Sequence, residues 1–258
     1  MGFGLTFVGR AFMAETVKPL ARLATLIVPE KAAANKAKIT QFIDDHLRGV
    51  PSFAIAEAAR EADRLGQTAL HMVELGQRAF LGLEDETSRE IVRLEREFRD
   101  SLCDPIERFV DGVIAEGGID SAERKRCFQI KNINVDLDRV ADHSENLAEA
   151  AQDRIYHRVP FSDDALQDLQ RAFVQAQLSP KMALAAFRAG DQDLAKQACR
   201  LEDEMDHIAL SVRQGQLDRV RQGVCHPEAD VLFVETVRNL ERISDHAENI
   251  AVSVLRKH

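Results

Sequence analysis

A twelve-residue stretch that occurs twice constrains the fold of this chain more than any other feature. Leu137–Ala148 reads L-D-R-V-A-D-H-S-E-N-L-A, and Leu240–Ala251 reads L-E-R-I-S-D-H-A-E-N-I-A. Seven of the twelve positions are identical, and three of the others keep their chemical type. Agreement of this kind indicates an internal duplication, so we expect two copies of one structural unit.

The repeated stretch has the periodicity of an amphipathic helix. Apolar residues recur at steps of three or four from Ile243 to Val254, which is the spacing of a buried helical stripe. Glu241, Asp245 and Glu248 fall on the opposite face. Two interpretations are open: a solvated acidic face, or a row of oxygen ligands for a hard cation, since like charges on one surface destabilise a helix unless a positive charge meets them. The duplication favours the cation.

Composition limits the class of protein. The chain has 258 residues, a formal charge of −9 and only 5% aromatic residues, with no tryptophan. The length suits two ordinary domains, the low aromatic content favours helix over sheet, and the negative charge argues against nucleic acid as a partner. Four cysteines lie far apart without a C-x-x-C pair, which is typical of a reducing compartment and indicates no thiol chemistry.

The first 50 residues differ from the rest. The segment 2–28 is mostly apolar but contains Arg10, Glu15, Lys18 and Arg22, which is too many charges for a membrane span of about 20 apolar residues. Its apolar and charged residues separate on a helical wheel. We therefore predict an N-terminal amphipathic helix and connector over residues 1–50. Three interpretations stay open: a helix in peripheral contact with a membrane, a helix packed on the protein, or a remnant of a transporter domain.

The remainder predicts two tandem antiparallel three-helix bundles, an all-α fold with repeats at residues 51–158 and 159–258. Proline, glycine and capping residues predict six helices: from Pro51 to about Leu83, Glu84–Glu116 with an interruption at Asp104-Pro105, Asp120 to before Pro160, Ser162–Ala189 with a kink at Pro180, Gly190 to about Gly223, and from Pro227 onward. The repeats are offset by 107 residues in their second helices and by 103 in their third. This difference predicts a loop four residues longer in the first repeat, around Gly117-Gly118.

The second repeat contains two E-x-x-x-D pairs on neighbouring helices, Glu202/Asp206 and Glu241/Asp245. With the D-H-x-E-N end of the third helix, these pairs resemble the PhoU family of bacterial phosphate-signalling proteins over roughly residues 52–257. In that family the paired motifs can hold multinuclear iron or other metal ions on the bundle surface. The resemblance therefore implies metal ions, iron, manganese or zinc, at these four carboxylates.

The resemblance also implies a function. Proteins of the PhoU family act with a phosphate transporter and a sensor kinase to hold back phosphate uptake and signalling, so we expect such a regulator, cytoplasmic or membrane-associated, and a homodimer. PhoU-like domains also form the cytoplasmic tails of sodium/phosphate cotransporters. Residues 42–60 resemble the linker of those tails, so a regulatory domain of a cotransporter is an open alternative.

One position departs from the family pattern. The first repeat offers Glu95, Asp138 and Asp142, but Arg99 stands where the second repeat has Asp206. A guanidinium cannot bind a cation and instead pairs with nearby carboxylates. We therefore predict a complete site in the second repeat and a weakened, internally neutralised one in the first.

Histidines and asparagines of the motif are candidate supporting residues. Each histidine directly follows a motif aspartate and can complete a mixed nitrogen and oxygen site. The residue after a ligand points about 100° away, however, so hydrogen bonding between helices is the role we expect. The asparagines lie four residues beyond an aspartate and are expected on the carboxylate side. The set of supporting residues is His143, Glu145, Asn146, His207, His246, Glu248 and Asn249.

Catalysis is not expected. Di-iron oxidases bury two E-x-x-H pairs, whereas here only Glu204–His207 fits and Glu97–Asp100 lacks the histidine. No G-x-x-x-x-G-K-[ST] loop occurs. A metal-free helical adaptor, whose acidic faces dock basic partners, remains the alternative from another class.

Overall fold

The computed structural model describes residues 40–256, and the predicted N-terminal amphipathic helix lies outside them. A compact unit begins at Phe42, and the structure contains no strand between residues 40 and 256. One turn of 3-10 helix at Asp45–Leu47 precedes seven helices: α1 (Pro51–Gly82), α2 (Asp85–Phe98), α3 (Asp104–Glu116), α4 (Ser121–Tyr156), α5 (Asp163–Ala189), α6 (Gln192–Arg221) and α7 (Pro227–Leu255). The predicted all-α fold with two three-helix repeats is confirmed, α2 and α3 together forming the second helix of the first repeat.

Capping residues set several of the helix starts. Asp120 accepts a hydrogen bond from the Glu123 backbone N–H, and the Glu123 side chain accepts one from the Asp120 N–H, which completes the predicted capping box of α4. Ser162 caps α5 by accepting a hydrogen bond from the Ala165 backbone N–H. α1 begins at Pro51, the predicted start, without a side-chain cap, because proline needs no N–H partner at a first helical position.

The predicted interruption at Asp104-Pro105 is present as a turn of π-helix over Arg99–Cys103. Proline removes one backbone donor and its ring crowds the carbonyl four residues earlier. The wider turn accommodates this, and the Asp104 N–H donates to the Arg99 carbonyl. Pro180, by contrast, lies inside α5, which continues through it.

The prediction of a longer loop in the first repeat is wrong. The connection between α3 and α4 has four residues, 117–120, whereas the one between α6 and α7 has five, 222–226. The extra residues of the first repeat lie in its helices, which are longer on both sides of the connection and include the π turn. Positive φ angles at Gly117 and Gly118, +76° and +74°, allow the short connection to turn sharply.

One apolar core runs through both repeats. The first helices of the repeats, α1 and α5, lie side by side, with hydrogen bonds or ion pairs from Gln177 to Gln77 (2.6 Å) and from Lys181 to Glu74 (2.8 Å). Gly66 allows the closest approach of these helices, since a Cβ atom there would lie 2.4 Å from Leu184 Cδ2. The third helices, α4 and α7, also pack against each other and run antiparallel, because Gln129 contacts Ser253 while His143 contacts Asn239.

We predict that Gly66→Ala destabilises the protein by about 1–3 kcal/mol, because the added methyl group forces the buried Leu184 side chain to move. Urea unfolding measures the effect. The matched control is Gly215→Ala on α6, where the nearest atoms would lie at 3.4 Å and where alanine stabilises a helix by up to about 1 kcal/mol relative to glycine. Equal stability of the two variants would contradict the tight contact between α1 and α5.

Candidate metal centre

Three carboxylates of the second repeat converge where α6 and α7 pack together. Glu202 and Asp206 stand one turn apart on α6, and Asp245 faces them from α7. One oxygen of each lies within 4.8 Å of the others. Glu202 is buried, Asp245 is half-buried and Asp206 is exposed, so the cluster opens to solvent on one side. Among residues 40–256 this is the one group of three or more histidine, cysteine or acidic side chains with such spacing.

The cluster is electrostatically strained. Burial, followed by the charges of Asp206, Glu248 and Asp245, raises the pKa of Glu202 to about 7. Burial and neighbouring carboxylates also raise the pKa values of Asp206 and Glu248. Asp203 adds a further charge to each of these environments. A cation at this place would relieve the repulsion.

The fourth predicted ligand, Glu241, does not join the cluster. Its two oxygens accept hydrogen bonds from the Arg213 guanidinium at 2.5 and 2.9 Å. This two-pronged pairing satisfies the carboxylate without a metal ion. Arg213 lies seven residues after Asp206 and so on the same side of α6.

In the first repeat an arginine side chain supplies positive charge among the equivalent carboxylates. Arg99, in the π turn, donates to Asp138, as the sequence predicted, and the Cys103 thiol lies 3.8 Å from the other oxygen of that carboxylate. Burial raises the pKa of Asp138 although Arg99 opposes the shift. Asp142 pairs with Arg139 at 2.8 Å. Burial, then Asp142 and Asp138, raises the pKa of Glu95. The equivalent carboxylates are thus close, but arginines neutralise two of them.

The motif histidines and asparagines lie at the contact between the repeats, which we call the α4–α7 seam. His143 Nδ1 and Asn146 Nδ2 contact the Asn239 side-chain oxygen at 3.0 and 3.1 Å. His246 Nδ1 and Asn249 Nδ2 contact one Asp136 oxygen at the same two distances, and the two imidazoles stack with their centroids 5.6 Å apart. The expected role of these histidines in hydrogen bonds between helices is thus what the structure shows.

The expectation that the asparagines lie on the carboxylate side is wrong. Asn146 follows His143 by three residues and Asn249 follows His246 by three. The two members of each pair therefore lie on one side of their helix and hydrogen-bond to the same residue of the facing helix. His207 has no counterpart at the seam and is exposed on α6. Glu145 stays with the first-repeat carboxylates, because burial and then the charges of Glu95, Glu149 and Asp142 raise its pKa.

Sequence reasoning missed the partners of these groups. Asp136 and Asn239 are separated by the same 103 residues as the motif copies, so extending the alignment by one residue toward the N-terminus would have placed both at the seam. Arg213 could have been found from its seven-residue step beyond Asp206. Asp203, which replaces Arg96 of the first repeat, was the signal for a more negative second repeat.

The residues present fit a hard or borderline cation. Glu202, Asp206 and Asp245 supply oxygen atoms only, the ligands that suit manganese, magnesium or calcium and that ferrous iron accepts, whereas zinc in structural sites favours sulfur and nitrogen. His143 and His246 are turned to the seam, and no histidine joins the three carboxylates within the described residues. Separations of up to 4.8 Å between the oxygens require the side chains to close by a few tenths of an ångström around an ion with bonds of about 2.1–2.4 Å.

Fold and site together define a duplicated helical protein with an acidic outer face. The PhoU domain model matches residues 62–151 and again residues 169–254. The chain therefore belongs to the PhoU domain family. Proteins of this family are regulatory accessory proteins, and this membership confirms the expectation that the chain is not an enzyme.

Two curated relatives are informative. The phosphate-specific transport system accessory protein PhoU homolog 1 of Thermotoga maritima is 25% identical over 174 residues, which cover 66% of this chain and 74% of that protein. YjbB of Escherichia coli, named as a candidate inorganic phosphate export protein, is 24% identical over 243 residues, which cover 93% of this chain. The chain spans only 44% of the length of YjbB.

Solved structures show the same fold. PhoU from Pseudomonas aeruginosa superimposes with a TM-score of 0.74 at 18% identity, covering 78% of this chain and 95% of that one. The phosphate transport system regulatory protein PhoU from Streptococcus pneumoniae gives 0.72 at 15% identity, covering 80% and 95%. None of the helices within residues 40–256 combines the length and apolar character that crossing a membrane requires.

We predict that Glu202→Gln stabilises the metal-free protein at pH 8 but not at pH 4.5. Because the pKa of Glu202 is raised from 4.5 to about 7, the folded state binds the proton more tightly, and wild-type stability falls as the pH rises through that window. The shift alone sets an upper limit of about 3 kcal/mol. Solvent screening at this partly open site reduces the expected gain to on the order of 1 kcal/mol.

Thermal unfolding in the presence of a chelator measures this difference at both pH values. The exposed Glu97 provides the control, since Glu97→Gln is expected to leave stability unchanged at either pH. A Glu202→Gln variant no more stable than wild type at pH 8 would show that the carboxylate repulsion is not felt in solution.

Proposed function

We propose that this protein regulates phosphate transport through protein contacts and binds a metal ion at Glu202, Asp206 and Asp245. Membership of the PhoU domain family, with a match to each repeat, carries the regulatory part of the proposal. The three converging carboxylates support the metal ion. The Thermotoga relative is named as an accessory protein of a phosphate-specific transport system, and a partner of the same kind, a phosphate transporter or its sensor kinase, is the one we propose here.

The chemistry of the site favours manganese or iron over zinc, since the cluster offers oxygen ligands only. When bound, the ion supplies positive charge that links α6 to α7. Glu202 would hold it from the buried side, Asp206 from the exposed side of the same helix, and Asp245 from α7. Because Glu202 must lose its proton to coordinate, the affinity is expected to fall as the pH drops below 7.

A second candidate is the regulatory domain of a membrane phosphate transport protein. The match to YjbB extends over 243 residues, further than the 174 residues of the match to the PhoU homologue. That longer match includes sequence beyond the two PhoU domain matches. It favours a regulator that acts beside a membrane, cytoplasmic in either case. Release of the protein from membranes after removal of residues 2–28 would support this second candidate.

We predict that the number of metal ions bound per chain depends on the residue at one position in each repeat, position 206 in the second and position 99 in the first. Wild type is expected to bind roughly one manganese or ferrous ion per chain at the three-carboxylate group found within residues 40–256. Asp206→Arg copies the first repeat and abolishes binding, because a guanidinium cannot coordinate a cation. Arg99→Asp copies the second repeat, frees Asp138 from its partner and adds a second ion.

Elemental analysis after incubation with each ion and gel filtration measures these stoichiometries. Asp218→Asn, on an exposed part of α6 that pairs with Arg221, is the matched control for loss of an acidic charge. If Asp206→Arg keeps the metal that wild type binds, the proposed centre is wrong. If neither protein binds metal, the centre is also wrong and the metal-free adaptor becomes the better hypothesis.

We predict that loss of the gene raises phosphate uptake in phosphate-rich medium, because the regulator no longer holds the transporter back. Uptake of labelled phosphate and expression of a phosphate-responsive reporter measure the effect. Re-expression of wild type restores both, and Glu97→Gln restores them equally well. Unchanged uptake and unchanged reporter expression in the deletion strain would refute the regulatory role, whatever the metal content.

A further inference from the structure

The outer face formed by α6 and α7 continues beyond the carboxylate cluster as an apolar surface. On α6, Leu210 and Leu217 are 64% and 43% exposed, and they lie four and eleven residues after Asp206, on the same side of the helix. Val220, one turn further, is also exposed. The exposed edge of α6 is thus acidic toward its N-terminus and apolar toward its C-terminus.

The neighbouring helix repeats this order in reverse. On α7, Val231 and Val234 are 57% and 39% exposed, and Val234 lies eleven residues before Asp245, on the same side of the helix. The ion pair of Arg213 with Glu241 ties the helices together at a point between Leu210 and Leu217 along α6. Because α6 and α7 run antiparallel, the apolar positions of one lie beside those of the other.

We call this surface the α6–α7 face. Its apolar half consists of Leu210, Leu217, Val220, Val231 and Val234. Its acidic half consists of Glu202, Asp203, Asp206, Asp245 and Glu248, whose mutual repulsion is described above. Arg242 pairs with Asp245 at 3.0 Å and offsets one of these charges. The exposed Arg238 is the other basic group on this stretch of α7. From Glu202 to Val220 the face is about 27 Å long, the length of an 18-residue helix.

We propose that the α6–α7 face is the docking site for an amphipathic helix of a protein partner. The contacting side of that helix is apolar toward one end and rich in lysine or arginine toward the other. The inference rests on the proposed function, since it assigns the surface through which the regulator makes its contact. Apolar side chains of the partner would cover Leu217 and Val234, and its basic end would meet the acidic half.

Charge complementarity selects this occupant. A second copy of the chain would bring its own acidic half, so a symmetric contact leaves both acidic halves uncovered or opposes like charges. An anionic membrane surface would be repelled by the acidic half. Only a partner with segregated apolar and basic ends covers the whole face. A metal ion in the cluster would lower the negative charge, so partner and metal binding are expected to oppose each other.

Three fluorescein-labelled 18-residue helical peptides test the proposal with the full chain. The first peptide has leucines in one half of its length and lysines in the other half. The second peptide replaces the lysines by glutamates, and the third replaces the leucines by serines. Fluorescence anisotropy in chelator measures their affinity. We expect the first peptide to bind at least about tenfold more tightly than either of the others, and manganese to weaken its binding.

Matched protein variants locate the site. Leu217→Ser/Val234→Ser should weaken the first peptide at least about tenfold, since both side chains are exposed and their loss removes apolar contact without opening the core. Phe128→Ser/Val135→Ser changes two exposed apolar residues of the first repeat and should have no effect. Equal affinity of wild type and the Leu217/Val234 variant would overturn the proposal. So would a wild-type dimer that this variant dissociates in light scattering, because a second copy would then cover the apolar half.

Metal content separates this inference from the proposed function. Leu217 and Val234 are not part of the carboxylate cluster, so the double variant should retain the wild-type amount of metal. If wild type binds metal and regulates phosphate uptake normally but does not discriminate between the three peptides, the docking site alone is overturned.

Discussion

The reciprocal contact between α4 and α7 is the constraint on which the rest of the structure depends. In each repeat a histidine and an asparagine three residues apart hold one oxygen acceptor on the other repeat, at Asn239 and at Asp136. These four hydrogen bonds cross the seam in two matching pairs, and the two histidine rings stack on each other. Since every partner of the pairs belongs to the duplicated helix, the duplication explains why the repeats pack as a near-symmetric pair.

This seam fixes the direction of the remaining faces. A helix that turns His246 inward to Asp136 must turn the preceding residue, Asp245, about 100° away, toward α6 and its carboxylates. The same geometry applies to Asp142 beside His143 in the first repeat. The D-H pair of the motif therefore couples two tasks in adjacent residues, one stabilising the contact between repeats and the other forming an acidic outer face. A change at either position is felt at both.

Periodicity and local sequence signals predict the structural features that depend on residues close together in the chain. The capping box at Asp120 and the interruption before Pro105 depend on neighbours in the chain, and both were predicted. Glu241 pairs with Arg213, which lies on another helix, and therefore does not join the carboxylate cluster. No local pattern in the sequence predicts the side-chain rotamers that bring these two residues together. The lengths of the connections were also predicted wrongly. An alignment offset does not say where extra residues lie, and here the π turn at Arg99–Cys103 places some of them inside a helix and not in a loop.

The two repeats illustrate two solutions to one electrostatic problem. Each places carboxylates on facing helices, and like charges so arranged destabilise the contact unless a cation joins them. In the first repeat Arg99 is that cation, permanently charged and part of the chain. In the second repeat Asp206 stands in its place, and burial together with the charge of Asp206 raises the pKa of Glu202 to about 7. Contact between the second and third helices is therefore unconditional in the first repeat. In the second repeat the Arg213–Glu241 ion pair joins the helices, but the repulsion at Glu202, Asp206 and Asp245 is left for the proposed metal ion or basic partner to offset. Such binding would make the contact respond to the surroundings, as a regulator requires.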